Sequence, residues 1–177
     1  MPACWCRAAR SRSRVRRRKP DPAALAAPDD PKAARLAALR LQNRRDHGAR
    51  ELAERLVARG FSLSAAEEAV EGLRKERLVD DGRFAEHFVA YHGNRGRGPV
   101  GIAHRLREAG VPAETIAAAV NATDPDWRRR AADVRRRRFG AKLPATWAEK
   151  GRQARFLTQR GFSADQVRAA VGNEHED

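Results

Sequence analysis

The chain has 177 residues, of which 37 are Lys or Arg and 23 are Asp or Glu, so its formal net charge at pH 7 is +14. Its longest apolar runs are the five-residue stretches 23–27 and 116–120, and its only cysteines are Cys4 and Cys6. These features argue against a transmembrane helix, a secretory signal segment and a disulfide framework. Few aromatic and β-branched residues, together with abundant Ala, Leu, Arg and Glu, predict an all-α fold.

The N-terminal segment carries much of the excess positive charge, with 8 basic residues and 1 acidic residue within residues 1–22. The segment contains Ser and Pro and shows no apolar periodicity, so we expect residues 1–30 to form a disordered basic arm. Three interpretations of the arm stay open. It is a polybasic tail that adds affinity for phosphates, a solvated extension preceding the true start, or an organellar transit peptide.

An internal repeat predicts the helices. Its three copies align on Gly60, Gly110 and Gly161, with spacings of 50 and 51 residues. Apolar residues before each glycine follow a helical stripe, and the glycine is typical of the position just after a helix. A second helix follows each glycine, and another helical stretch precedes each pair at residues 34–45, 83–92 and 127–138. The leucines that lie four residues before the glycines are Leu56, Leu106 and Leu157.

The repeats predict three tandem three-helix domains at residues 31–78, 79–124 and 125–172, followed by an acidic tail at 173–177. Helices this short must bury their apolar stripes against neighbours. We therefore expect an elongated, curved array whose concave face suits a polymeric partner better than a small molecule. Repeat arrays of this kind are commonly monomeric, and we expect a monomer.

Helix starts are also predicted from the sequence. Ser64 and Ser163 each precede a Glu or Gln by three residues and fit a capping box, and Pro112 suits the first turn of a helix. Asp80 or Asp81 is expected to cap the first helix of the second repeat.

We find no motif that predicts catalysis, a cofactor or a metal. Residues 96–101 match G-x-G-x-x-G, but a helix rather than a strand is predicted before them, so a loop entering the next helix is the better interpretation. No lysine is followed by Ser or Thr, which excludes a Walker A motif. Cys4 and Cys6 lack two further nearby ligands for zinc.

The second concentration of positive charge lies at residues 127–160, with 12 basic residues against 2 acidic ones. A polyanion would relieve their mutual repulsion, and a solvated basic face without a partner is the alternative. Arg128, Arg135 and Arg138 recur at helical spacing, so we expect several of these side chains to point one way. The candidate contacts to the phosphates of such a polyanion are Arg128, Arg129, Arg130, Arg135, Arg136, Arg137, Arg138, Arg152, Arg155 and Arg160.

Two stretches carry a family resemblance. Residues 78–85 read Leu-Val-Asp-Asp-Gly-Arg-Phe-Ala, and residues 98–111 read Gly-Pro-Val-Gly-Ile-Ala-His-Arg-Leu-Arg-Glu-Ala-Gly-Val. Together with residues 52–61 and 155–163, they resemble the RecX family, bacterial regulatory proteins of the RecA recombinase. Phe84 is expected to be the core anchor of this region. The chain departs from the family at Gly48 and Ala49, near which a serine is common.

The resemblance implies a cytoplasmic, non-enzymatic protein without a membrane partner, acting in recombination, DNA repair and the SOS response. Such a protein would dock on the RecA filament on single-stranded DNA and restrain ATP hydrolysis and strand exchange. Two other functions stay open: a helical DNA-binding protein that uses duplex DNA and no RecA, and an α-helical interaction scaffold whose charge is incidental.

Overall fold

The structure, a computed structural model, describes residues 21–123 and 126–172. Within these ranges the chain forms ten α-helices and no β-strand, which confirms the predicted all-α fold. The arm before residue 21, with both cysteines, and the acidic tail lie outside the described residues. The helices are α1 (Pro22–Ala26), α2 (Pro31–Gln42), α3 (Ala49–Val57), α4 (Leu63–Lys75), α5 (Asp81–Asn94), α6 (Pro99–Glu108), α7 (Ala113–Thr123), α8 (Trp127–Phe139), α9 (Trp147–Gln159) and α10 (Ala164–Val171).

Of the described residues, 21–47 and 51–79 form the first compact unit. Helix α2 packs on α4 within this unit. The packing follows from apolar side chains spaced three or four residues apart, which form one stripe on each helix. The large side chains buried in this unit include those of Leu41, Leu52, Leu56, Phe61 and Leu73.

Residues 21–30, which the sequence places in the disordered arm, contain helix α1 instead. The carboxylate of Asp21 accepts a hydrogen bond from the N–H of Ala23 at 3.1 Å, which caps the helix. The N–H of Asp21 donates to the carbonyl oxygen of Arg59 at 3.0 Å, and Ser62 N–H donates to Pro28 O at 2.9 Å. These backbone bonds join segments that are far apart in sequence, and no local pattern predicts them.

Of the described residues, 48–50, 80–123 and 126–172 form the second compact unit. Helix α5 packs on α7, and α8 packs on α10. One apolar cluster contains residues of all six helices from α5 to α10, so the second and third repeats share a single core. Its members include Phe84, Val89, Ile102, Leu106, Ile116, Val134, Leu157, Phe162 and Val167.

The three aligned glycines end α3, α6 and α9 in the same way. Gly60, Gly110 and Gly161 have φ angles of 103°, 83° and 85°, in the left-handed region that favours glycine. The residue after each glycine donates its N–H to the carbonyl of the leucine five positions before it, which is the Schellman motif. These bonds are Phe61 to Leu56 at 3.3 Å, Val111 to Leu106 at 3.0 Å and Phe162 to Leu157 at 3.2 Å.

Two adjacent carboxylates cap two different helices. Asp80 Oδ1 accepts hydrogen bonds from the N–H groups of Gly82 at 2.8 Å and Arg83 at 3.1 Å, so Asp80 is the N-cap of α5. Asp81 Oδ1 accepts a hydrogen bond from the N–H of Ala49 at 2.8 Å, at the first residue of α3. The Asp-Asp pair therefore ties the start of α3 to the start of α5.

The predicted capping box at Ser64 is wrong. Ser62 is the N-cap of α4, and its hydroxyl accepts a hydrogen bond from the N–H of Ala65 at 3.4 Å. Its ψ of 155° keeps Ser62 extended, whereas Ser64 already lies inside the helix. The capping box predicted at Ser163 with Gln166 is confirmed, and α10 follows it.

Candidate nucleic-acid interface

Helix α8 carries seven of the candidate arginines and positions the site. It begins after Asp126, whose Oδ1 accepts a hydrogen bond from the N–H of Arg129 at 2.9 Å. Trp127, Ala131 and Val134 are buried at spacings of four and three residues, as expected for one helix face. Five of the arginines are exposed on the remaining surface: Arg128, Arg129, Arg136, Arg137 and Arg138.

Arg135 lies on the buried face of α8, next to Val134, and is only 4% exposed. Its guanidinium donates hydrogen bonds to the carbonyl oxygens of Lys142 at 2.8 Å and Ala141 at 3.3 Å, and to Gln153 Oε1 at 3.5 Å. Arg135 therefore fastens the loop after α8 and is not placed to contact DNA. Arg135 therefore does not point to solvent with Arg128 and Arg138, because residue 135 lies on the buried face of α8.

A cleft of the second unit is lined by the end of α5, by α8 and by α9. Among the described residues that line it, four are arginines and none is acidic. Neither Arg137 nor Arg138 forms an ion pair with a residue in the described ranges. We call this cleft the arginine cleft, and its lining residues are Asn94, Arg95, Gly96, Val134, Arg137, Arg138, Phe156 and Arg160.

The side chain of Arg160, one of the four cleft arginines, is held by its neighbours. The guanidinium of Arg160 donates hydrogen bonds to the carbonyl oxygens of Arg95 at 3.3 Å and Gly96 at 3.4 Å. Its central carbon lies 4.8 Å from the centroid of the Phe156 ring, a cation–π distance. A guanidinium fixed in this way loses less rotamer freedom when it binds an anion.

The loop between α5 and α6 docks on the turn between α9 and α10, which brings Arg95 and Arg160 together. Gly98 N–H donates to the carbonyl of Arg160 at 2.8 Å, and Val100 N–H donates to that of Gly161 at 3.0 Å. A Cβ on Gly98 would lie 2.4 Å from the Gly161 carbonyl, so only glycine fits. Because these amides bond to the protein, this part of the G-x-G-x-x-G stretch serves packing rather than nucleotide binding.

Positive charge is concentrated around this loop. Burial lowers the pKa of Arg97, and the nearby charges of Arg105 and Arg160 lower it further. Burial also lowers the pKa of His92, with smaller contributions from Arg105, Arg97 and Arg95. Both shifts point the same way, because burial disfavours the charged form of each group and the neighbouring guanidinium charges repel it further. A bound anion would relieve this repulsion.

The neighbouring edge of α8 is less positive than the cleft. Arg129 Nε lies 3.6 Å from an oxygen of Asp126, and Arg136 lies 2.8 Å from an oxygen of Asp133. Arg130 is half-buried and donates a hydrogen bond to the side chain of Asn94 at 3.2 Å. These three arginines therefore have partners within the protein.

The remaining candidates lie outside the cleft lining. Arg128 lines a separate hollow next to Ser163 and Asp165. Arg152 and Arg155 are exposed on α9. The structure thus brings together three of the ten predicted contacts, Arg137, Arg138 and Arg160, and adds Arg95, which the sequence did not single out. Arg95 lies outside the charge-rich stretch 127–160, and the only signal for it was its place as a basic residue near the Gly-Pro loop.

Two further features of the described residues bear on other chemistry. None of the helices within residues 21–123 and 126–172 combines the length and the apolar character that crossing a membrane requires. The same part of the chain contains no cluster of three or more His, Cys, Asp or Glu side chains arranged to hold a metal ion.

Family models match both groups of three helices in the second unit, α5–α7 and α8–α10. The second three-helix domain of RecX matches residues 80–120, and the third matches residues 126–171. Among solved structures, the crystal structure of RecX from Lactobacillus salivarius superposes with a TM-score of 0.69. It covers 80% of this chain and 94% of that one at 18% identity, so it bears on the fold alone. Tandem three-helix repeats are thereby confirmed.

Relatives with similar sequences align with most of this chain. The regulatory protein RecX of Halorhodospira halophila (strain DSM 244 / SL1) is 49% identical over 145 residues, covering 82% of this chain and 90% of that protein. The regulatory protein RecX of Stenotrophomonas maltophilia (strain R551-3) is 39% identical over 140 residues, covering 79% and 86%.

Proposed function

The chain belongs to the RecX family of regulatory proteins, and from this premise we propose that it binds the filament that RecA forms on single-stranded DNA. Bound there, it lowers ATP hydrolysis and strand exchange by RecA. Relatives that carry the name of a regulatory protein support a regulatory role, and the family resemblance supports RecA as the partner.

The arginine cleft is the observation that supports contact with DNA. Four guanidinium groups line it without a carboxylate among its described lining residues. Phosphates of a DNA strand supply the missing negative charge, and guanidinium groups bind phosphate through two parallel hydrogen bonds. We therefore narrow the candidate contacts to Arg95, Arg137, Arg138 and Arg160. Duplex DNA offers the same phosphates and remains a second ligand to test.

The same proposal includes a cytoplasmic, monomeric protein that acts by binding, without catalysis or a cofactor. Size-exclusion chromatography with light scattering tests the monomer. Substrate turnover by the isolated protein would argue against a role by binding alone.

Single-stranded-DNA-dependent ATP hydrolysis by RecA tests the function. We expect the protein to lower the rate at amounts well below the RecA concentration, because one bound molecule affects many filament subunits. A DNA-binding protein without a RecA contact would lower the rate only at amounts that cover the DNA. An interaction scaffold with incidental charge would leave the rate unchanged even at saturation, which would contradict the proposal.

A further inference from the structure

An exposed aromatic ring lies one helical turn before the arginine cleft. Tyr91 of α5 is 52% exposed, so about half of this aromatic residue faces solvent. The guanidinium carbon of Arg95 lies 4.2 Å from the centroid of the Tyr91 ring. This distance is that of a cation–π contact, so the guanidinium of Arg95 lies over the Tyr91 ring at the protein surface.

The ring is supported from within the same helix. The rings of Tyr91 and His92 meet edge-on with centroids 5.1 Å apart, and the rings of Phe88 and His92 have centroids 4.2 Å apart. Phe84 lies 5.8 Å from Phe88, centroid to centroid, and belongs to the apolar core. A row of ring contacts therefore links Tyr91 to the core and limits its movement.

The Tyr91–Arg95 pair is continuous with the cleft. Arg95 lines the arginine cleft, and its carbonyl oxygen accepts a hydrogen bond from Arg160 at 3.3 Å. One turn of helix, about 5 Å, separates Tyr91 from Arg95 along α5. A nucleotide whose phosphate contacts Arg95 thus has its base within reach of the Tyr91 ring.

We propose that Tyr91 and Arg95 form a stacking platform for one unpaired base of a DNA strand whose phosphates lie in the arginine cleft. This inference rests on the proposed contact between the cleft and DNA. Flat aromatic and guanidinium surfaces stack on the faces of unpaired bases. Bases within a duplex are already stacked on their neighbours, so the platform selects single strands. An acidic peptide would match the charge of the cleft but offers no base to the platform.

A comparison of intact and abasic strands tests the platform. The ligands are fluorescein-labelled oligo(dT) and a strand of the same length built from abasic residues, which keeps the phosphates and removes the bases. Binding of the full-length protein is measured by fluorescence anisotropy at fixed salt. The variants are Tyr91→Ala and Tyr91→Phe. Trp147→Ala is the matched control, because Trp147 is 77% exposed and is not among the residues lining the cleft.

We expect Tyr91→Ala to weaken binding of oligo(dT) roughly 5- to 150-fold, which corresponds to about 1–3 kcal/mol for loss of one base–aromatic stack. Binding of the abasic strand should not change, since it has no base to stack. Tyr91→Phe keeps the ring and should bind both strands like the unaltered protein. Trp147→Ala should also bind both strands like the unaltered protein. Circular dichroism melting checks that each variant is folded.

Equal losses on both strands would overturn the platform, because Tyr91 would then act only by orienting Arg95. Unchanged binding of both strands by Tyr91→Ala would also overturn it. If the unaltered protein binds neither strand, the cleft and the platform fail together. If the platform behaves as expected but RecA activity is unaffected, the proposed function fails and the platform stands.

Discussion

Arg135 and Arg137 lie two residues apart on α8 and have opposite environments. Arg135 is 4% exposed and donates its hydrogen bonds to two loop carbonyls and one side-chain amide. Arg137 is exposed and lines the arginine cleft. Because Arg135 is buried, its charge stabilises the loop after α8, whereas the exposed charge of Arg137 is accessible to a ligand.

Separate alanine substitutions distinguish these two roles. Arg135→Ala removes three hydrogen bonds and leaves a cavity, so we expect a loss of about 1–3 kcal/mol in the free energy of unfolding. The salt dependence of single-strand binding should not change. Arg137→Ala should alter stability by less than about 0.5 kcal/mol. It should lower the salt slope by about 0.7, the value for one lost phosphate contact on a single strand.

Urea unfolding and binding titrations against salt measure both quantities for the two variants. A reduced salt slope for Arg135→Ala together with an unchanged stability would show that this residue contacts DNA after all.

The turn between α9 and α10 combines two constraints on one glycine. Gly161 has a φ of 85°, and a Cβ at this position would lie 2.5 Å from the Cα of Gly101. Gly140, after α8, has a similar φ of 91°, but a Cβ there would lie more than 4 Å from every described residue apart from its neighbours in the chain. Gly161 is needed for its positive φ angle and for the close approach of the Gly101 backbone. Gly140 is needed for its positive φ angle alone.

Alanine at each glycine separates these constraints. We expect Gly140→Ala to cost about 1–3 kcal/mol, because a φ of 91° combined with a ψ of 176° is a backbone conformation that essentially only glycine adopts. Gly161→Ala should cost more than about 3 kcal/mol, because backbone atoms of the α6 start must also move. Chemical denaturation gives both values. Equal costs would mean that the contact between the Gly-Pro loop and the Gly161 turn contributes little to stability.

Over the whole molecule, local features were predictable from the sequence. The Leu56, Leu106 and Leu157 column and the glycines four residues later mark three Schellman turns, because that motif is contained within six residues. The helix trios follow from these turns and from the apolar stripes. The predicted domain boundaries and the curved array stay predictions.

The arginine cleft depends on contacts between distant residues, and for this reason the sequence did not reveal it. Arg95 and Arg160 meet because the loop at Gly98 docks on Gly161, more than sixty residues away in the chain. The burial of Arg135 depends on the return of the loop after α8 toward Gln153. Helical spacing places residue 135 beside the buried residues Ala131 and Val134, but it does not show that the loop after α8 supplies the carbonyl acceptors for a buried guanidinium.

The central claim is that phosphates of single-stranded DNA bind in the arginine cleft rather than to the basic surface in general. Two double variants with the same change in net charge test it: R137E/R138E within the cleft, and R152E/R155E on the exposed surface of α9. The measurement is the salt dependence of oligo(dT) binding, plotted as the logarithm of the association constant against that of the salt concentration.

We expect the slope of R137E/R138E to fall by about 1.4, which corresponds to two lost phosphate contacts at about 0.7 each. R152E/R155E should keep the slope of the unaltered protein and lose only a little affinity. Equal reductions for the two variants would contradict the account, because the DNA would then respond to overall charge and not to the cleft.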